Sequence, residues 1–178
     1  MFESLDEKFT KVIRKHIKYA EYEDFILKNG EKSKYYVDIK SALLNPANSK
    51  IILKKIGRVI KRENFDTVCG GGIGGAILVG QLSQYLGKNG IIIRDEDKEY
   101  GLRNAIIGNR YSVNKVLYVE DVTTSGESLL ELGRKLRSSF GKYLTVFNRG
   151  GNETSEKFGK SLTILAEFAN EPYIRIHK

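Results

Sequence analysis

The sequence predicts an α/β fold, a five-strand parallel sheet core flanked by helices, and three observations carry that prediction. Apolar runs of strand length recur at residues 66–69, 90–93, 115–119, 143–147 and 162–165. Helix-like segments at residues 75–86 and 126–140 separate several of them, and such alternation implies crossover helices and parallel pairing. Residues 116–119 are β-branched, aromatic and nearly uninterrupted in apolar character, as befits a strand covered on both faces. At 178 residues, with no repeat, linker or low-complexity tract, the chain reads as one domain, residues 1–178.

Taken in order, residues 5–20 show the patterning of an amphipathic helix with mixed acids and bases. Residues 24–27 and 35–39 flank Asn29-Gly30, a pair suited to a tight turn, and read as a short antiparallel hairpin. Pro46 and Asn48 supply stop and cap signals before a second helix over residues 50–63. Strand and helix then alternate to residue 165. Ligands of such folds bind outside the carboxyl ends of the strands, which directs attention to the segments that follow each apolar run.

Charge and composition narrow the function classes. The net charge is +8, but the basic residues are spread along the chain without a block or an interleaved aromatic patch. Such a charge fits nucleic acid, a negative membrane surface or a polyanionic substrate, and without a basic block dedicated nucleic-acid binding is not expected. No apolar stretch approaches the length of a bilayer span and the first twenty residues lack a signal-peptide core, so a cytoplasmic protein is expected. The single cysteine, Cys69, forbids an internal disulfide and agrees with a reducing compartment. It lies in an apolar run with no histidine nearby and reads as a small core residue. His16 and His177 lie in the terminal segments, form no metal-ligand cluster, and read as surface residues.

The most informative stretch is residues 116–129, VLYVEDVTTSGESL. An apolar strand ends in two acids, and a hydroxyl-rich turn then opens a helix whose Leu129, Leu130, Leu132 and Leu136 recur at helical spacing. A turn leading into a helix N-terminus presents unpaired backbone N–H groups and the positive end of the helix dipole, which favour a phosphate monoester. Thr123, Thr124 and Ser125 add hydroxyl donors, and Gly126 permits close approach of the backbone. Glu120 and Asp121 stand where carboxylates can accept hydrogen bonds from vicinal ribose hydroxyls. The chemistry is that of a sugar-phosphate site.

Residues 70–75, Gly-Gly-Gly-Ile-Gly-Gly, follow another strand and precede a helix. Five glycines in six residues are costly to order and hard to explain by packing alone. A backbone stripped of side chains can wrap a phosphate with its N–H groups. No Gly-Lys-Ser/Thr follows, so this is not a Walker loop.

The pattern from Glu120 to Ser128 resembles the phosphoribosyl pyrophosphate (PRPP) signature of the type I phosphoribosyltransferases. The resemblance implies that Glu120 and Asp121 hold the ribose. It places Thr123, Thr124, Ser125, Gly126, Glu127 and Ser128 around the 5′-phosphate, and Gly71, Gly72 and Ile73 of the glycine loop at the pyrophosphate. Residues 25–38, FILKNGEKSKYYVD, resemble the N-terminal base-site segment of the orotate phosphoribosyltransferases. That match implies that Lys28 reaches the phosphates and that Tyr35 and Tyr36 form a wall for the base, Tyr36 being the better placed to stack. Without it, the tyrosines would read as core filling and the lysine as solvated.

Residues 94–101, RDEDKEYG, are similar to the mobile loop of the same enzymes, which closes over the neighbouring subunit's site. Arg94, Lys98 and Gly101 fit the pattern, whereas Asp95 replaces a lysine and Tyr100 a histidine. Cationic donors belong beside a leaving pyrophosphate and carboxylates do not, so the Asp95 exchange bears on turnover. Read as charge alone, the segment is a solvated loop. Residues 147–151, FNRGG, are similar to the segment whose arginine pairs with the orotate carboxylate, a role this implies for Arg149 with Thr124 nearby.

The four matches occur in family order across residues 25–151. They imply a fold like that of the type I phosphoribosyltransferases, with a small hood over residues 1–45 and a core over 46–178. The implied reaction joins orotate to PRPP, giving orotidine 5′-monophosphate and pyrophosphate, with Lys98 and Asp121 as catalytic residues. Mg²⁺ is the implied cofactor, held mainly by substrate and water and not by a protein metal site, and the working unit is a homodimer. Alternatives are a phosphoribosyltransferase for another base and a PRPP-binding regulator with little turnover.

Overall fold

The computed structural model describes residues 3–27, 30–94, 105–109, 113–137, 141–170 and 173–177. A seven-stranded sheet organises the chain in the order β11-β10-β9-β8-β5-β6-β7. Its five inner strands are β5 (Thr67–Gly71), β6 (Asn89–Ile93), β8 (Val116–Thr123), β9 (Gly141–Asn148) and β10 (Leu162–Asn170), all parallel. This is the five-strand parallel core expected from the apolar runs. Two antiparallel edge strands close it, β7 (Ile106–Ile107) on β6 and β11 (Tyr173–Ile176) on β10.

Helices cover both faces, and alternation along each strand decides which residue meets which layer. Leu117 and Val119 of β8 join a core with α1 (Leu5–Lys15), α2 (Ile39–Leu44), α3 (Pro46–Val59) and α4 (Gly72–Leu86). Val116 and Tyr118 of the same strand face the other way, against Leu129 and Leu132 of α5 (Glu127–Leu136) and Phe158 of α6 (Gly151–Phe158). Cys69 is fully buried in this second layer, and burial pushes its thiol up to about 12, so it is the inert core residue expected.

After β5 the chain adds β6 on one side, then returns to place β8 on the other. The sheet order therefore reverses between β5 and β8, and a crevice opens at their carboxyl ends. The glycine loop follows β5 and the acidic, hydroxyl-rich turn follows β8, so topology alone brings these two sequence motifs together.

Several expected boundaries shift for identifiable reasons. The first helix stops at Lys15 and not at residue 20. Ile17–Tyr19 forms β1 instead, pairing antiparallel with β4 (Tyr35–Val37), because tertiary strand pairing outweighs helical patterning in this β-branched and aromatic stretch. With β4 so engaged, the expected hairpin of residues 24–27 with 35–39 does not form. β2 (Phe25–Ile26) pairs with the nearer β3 (Lys32–Ser33). The helix expected at residue 50 starts at Pro46, since Asn45 caps the N–H groups of Ala47 and Asn48, both at 3.1 Å, and proline fits the first helical position. Helices α2 and α6 are additions, six and eight residues long and so too short to show a helical period in sequence.

Asp38 at the end of β4 fixes α2. Its carboxylate accepts from the Ser41 N–H (3.2 Å), the Ser41 hydroxyl (2.8 Å) and Lys18 Nζ (3.0 Å). Although burial opposes its charge, the Ser41 and Lys18 contacts hold this carboxyl below the usual aspartate value.

Candidate active site

An open cleft of about 750 Å³ lies over the switch point, with residues 26–40 supplying its far wall. From the core, Gly71, Gly72, Ile73 and Gly74 line it at the start of α4, and residues 120–128 line it at the end of β8. From the N-terminal strands and α2 come Ile26, Leu27, Tyr36, Val37 and Lys40, and Arg149 enters from the end of β9. The glycine loop, the acid pair and the hydroxyl turn thus share one cavity.

The turn after β8 is shaped to receive an anion. Gly126 takes a left-handed φ of 74° and precedes α5 with no side chain of its own to cap the helix, and the Ser125 hydroxyl accepts from the Glu127 N–H at 3.5 Å. A Cβ at Gly126 would also come within 2.2 Å of the Phe158 ring, so α6 packs hard against this turn. The carbonyl of Thr124 accepts from the Thr154 hydroxyl and that of Thr123 from the Arg149 N–H at 2.7 Å. Lys157 of α6 donates to the Ser125 carbonyl and pairs with Glu127. The Thr123 hydroxyl, 2% exposed and in the cleft lining, has no hydrogen-bond partner among the described residues.

The adjacent acids reach the cleft from opposite faces of the sheet. Glu120 borders both the cleft and a pocket of about 120 Å³ on the α5 side. Asp121 lies on the α4 side, where a Cβ on Gly74 would stand 2.1 Å from its Cγ. Burial pushes the Asp121 carboxyl up, and Lys40 Nζ, 3.7 Å from Oδ2, opposes the shift. Lys40 itself is held above the usual lysine value: burial works against its charge, but the Tyr36 hydroxyl and Asp121 outweigh it. A contact ion pair would lower the acid while raising the base. Here both rise, because burial is the largest influence on Asp121 and outweighs the part that Lys40 gives back.

The Arg149 side chain is held by two neighbours. Its guanidinium stacks on the Tyr35 ring at 4.7 Å, and Nη2 donates to the Ser33 hydroxyl at 2.9 Å. The preceding Asn148 fixes the turn: its amide donates to the Gly151 carbonyl (2.9 Å) and to Glu167 (3.2 Å), and its oxygen accepts from the Gly150 N–H (3.1 Å). Arg149 Nε is buried and has no hydrogen-bond partner among the described residues, and the residue lines the cleft.

Not every residue marked in the sequence meets the cleft. Tyr36 lines it, whereas Tyr35, one step along β4 and hence on the other face, packs edge-on to Phe168 at 4.8 Å beneath Arg149. Arg94 follows β6 with its N–H on the Ala105 carbonyl (2.8 Å) and is not among the cleft residues. Lys28, Lys98, Gly101, Asp95 and Tyr100 lie outside the described residues. Lys40 was not anticipated; it stands two residues past the quoted base-site segment, and its position in the cleft depends on α2 folding back onto β8.

No group of three His, Cys, Asp or Glu side chains that could hold a metal occurs among the described residues. Nor is any helix among them long and apolar enough to cross a membrane.

The orotate phosphoribosyltransferase of Methanosarcina mazei is 37% identical over 131 residues, covering 72% of this chain and 70% of its own length. That of Pyrococcus horikoshii is 35% identical over 142 residues, 76% of each chain. The crystal structure of orotate phosphoribosyltransferase from Aeropyrum pernix superposes with a TM-score of 0.71 over 93% of this chain and 94% of its own, at 23% identity, and so shares the fold. No family model matches the sequence.

Proposed function

The chain belongs to the orotate phosphoribosyltransferase family, and from that premise we propose how its cleft transfers a phosphoribosyl group from PRPP to orotate. Orotate N1 supplies the electron pair that forms the new bond to ribosyl C1, while the C1–O bond breaks and its electrons leave with pyrophosphate. The products are orotidine 5′-monophosphate and pyrophosphate. The transition state carries positive charge on the ribose and growing negative charge on the leaving group, so its stabilisation is chiefly electrostatic.

Each part of the cleft has a task in this reading. The turn of residues 123–128 with the N-terminus of α5 takes the 5′-phosphate. Glu120 and Asp121 accept hydrogen bonds from the ribose hydroxyls, and Asp121, in a low-dielectric setting, offsets the charge that develops at C1. Gly71, Gly72 and Ile73 present backbone to the pyrophosphate. Tyr36 provides the wall for the base, and Arg149 pairs with the orotate carboxylate. Lys28 and Lys98 address the leaving group by resemblance, and the loop of residues 94–101 acts on a neighbouring subunit, which makes a homodimer the working unit.

The donor set fits Mg²⁺ carried by substrate. Mg²⁺ commonly keeps several waters and binds through phosphate oxygens, which PRPP supplies, beside the Glu120 and Asp121 carboxylates of the cleft. When bound, it would neutralise charge on the departing pyrophosphate.

The observation that carries the choice of base is Arg149, stacked on Tyr35 and tied through its own N–H to the phosphate turn. A purine has no carboxylate to engage it. Pyrophosphate release from PRPP and Mg²⁺, measured with orotate, uracil, adenine and hypoxanthine in turn, tests the reading. Release with orotate alone is expected; release with a purine would reassign the base, and PRPP binding without release would indicate a regulator.

A further inference from the structure

Lys40 occupies a position that none of the roles above uses. Asp38, the N-cap of α2, places it at the first turn of that helix, over the carboxyl end of β8. Its Nζ donates to the Tyr36 hydroxyl oxygen at 3.0 Å and lies 3.7 Å from Asp121 Oδ2, with the ammonium 5.4 Å from the Tyr36 ring centroid. About a third of its side chain is exposed, toward the cleft. Lysine donates only. The Tyr36 oxygen therefore accepts, and the phenolic hydrogen is left to point elsewhere.

We propose that Lys40 is a positioning residue that joins the base wall to the ribose acid: it orients the Tyr36 hydroxyl as a donor into the cleft and keeps Asp121 ionised and in place. The proposal rests on the reading of this cleft as the phosphoribosyl-transfer site. Geometry sets the constraint. Asp121 is 9% exposed and confined on one side by the Gly74 backbone, which offers no room even for a methyl group. Among the described residues, the charged group that faces its carboxylate is Lys40; α4 presents Gly74 there, and Glu120 projects to the other face of the sheet. Burial drives Asp121 toward its neutral form, and only its ionised form can offset charge on the ribose.

The arrangement also links the two substrates. Tyr36 belongs to the hood and Asp121 to the core, and Lys40 touches both. A base seated on Tyr36 is thereby registered against the ribose by a single ammonium group.

The test compares Lys40→Met, Lys40→Arg, Tyr36→Phe and the Lys40→Met/Tyr36→Phe double variant, each checked for folding by urea denaturation. Lys40→Met should lower kcat/KM for PRPP roughly 10- to 100-fold, the range for loss of a charge-assisted hydrogen bond. It should also move the acid limb of the pH profile upward, since removing a cation disfavours the Asp121 carboxylate. Lys40→Arg should restore the limb, and the double variant should lose less than the product of the single losses. A folded Lys40→Met protein with the wild-type acid limb, or with losses that multiply with those of Tyr36→Phe, overturns the proposal.

If the wild type itself shows no orotate turnover, the functional reading has failed separately. Calorimetric titration of the same proteins with Mg²⁺ and PRPP at pH 6 and pH 8 then decides about Lys40. Weakening of Lys40→Met relative to wild type that is greater at the lower pH sustains the proposal, and equal affinities at both overturn it.

Discussion

Replacing Gly74 by alanine should separate activity from stability in this protein. The added Cβ would lie 2.1 Å from Asp121 Cγ and 2.2 and 2.4 Å from the two carboxylate oxygens. Ordinary contact begins at 3.4 Å, so the carboxylate or the first turn of α4 must yield by about 1.3 Å. Neither has an easy retreat: the acid is buried against Lys40, and the same turn of α4 is packed on β5. A displacement near 1 Å in a catalytic constellation costs on the order of 100-fold in rate. Overpacking costs roughly 1–3 kcal/mol, and alanine in a helix returns about 1 kcal/mol relative to glycine. The net loss of stability should therefore be small, on the order of 1 kcal/mol, and the loss of turnover large. Gly80, on the same helix with nothing within 4 Å of its Cβ direction, is the matched control. Gly80→Ala should gain up to about 1 kcal/mol and keep full activity. Urea denaturation and the loss of orotate absorbance measure the two quantities. A folded Gly74→Ala protein with wild-type kcat would refute the reasoning.

Three further outcomes follow from the same geometry. Arg149→Lys keeps the charge but loses the planar fork stacked on Tyr35, and should raise KM for orotate roughly 10- to 100-fold with a smaller change in kcat, by steady-state kinetics. Asp38→Ala removes the α2 cap and should cost about 1 kcal/mol in urea denaturation at neutral pH. Because the folded Asp38 carboxyl is held below its ordinary value, its stabilisation is complete above that value and fades as pH falls through the lowered one, so variant and wild type should converge in acid. Cys69, buried and shifted up to about 12, should resist thiol reagents in the native protein and react fully only in denaturant.

Much of this arrangement was legible in the sequence, and the reasons differ by element. The five inner strands announced themselves because strands covered on both faces are written in apolar residues, and the alternation with helices sufficed to make them parallel. The turn after β8 was legible because its pattern is local: residues 120–128 carry acids, hydroxyls and glycine in one continuous stretch. What depends on long-range contact was not. Tyr35 and Tyr36 are neighbours with the same side chain, and only the pairing of β4 with β1 decides that Tyr36 meets the cleft while Tyr35 supports Arg149. In sequence the glycine run reads as a phosphate wrap, and in the structure Gly71 and Gly72 line the cleft. Yet a Cβ on Gly70 would meet the Gly75 carbonyl oxygen at 2.8 Å and one on Gly74 would meet Asp121, so close packing accounts for part of the run. Lys40 escaped notice because nothing in its own neighbourhood in sequence marks it.

The central claim is that this cleft transfers phosphoribose to orotate with Asp121 as its buried acid. The most direct measurement is the loss of orotate absorbance with PRPP and Mg²⁺ present, run in parallel with wild type and Asp121→Asn. Wild type should consume orotate only in the complete mixture, and Asp121→Asn, nearly isosteric but uncharged, should be slower by at least about 100-fold. No consumption by the wild type, or equal rates for the two proteins, would contradict the account.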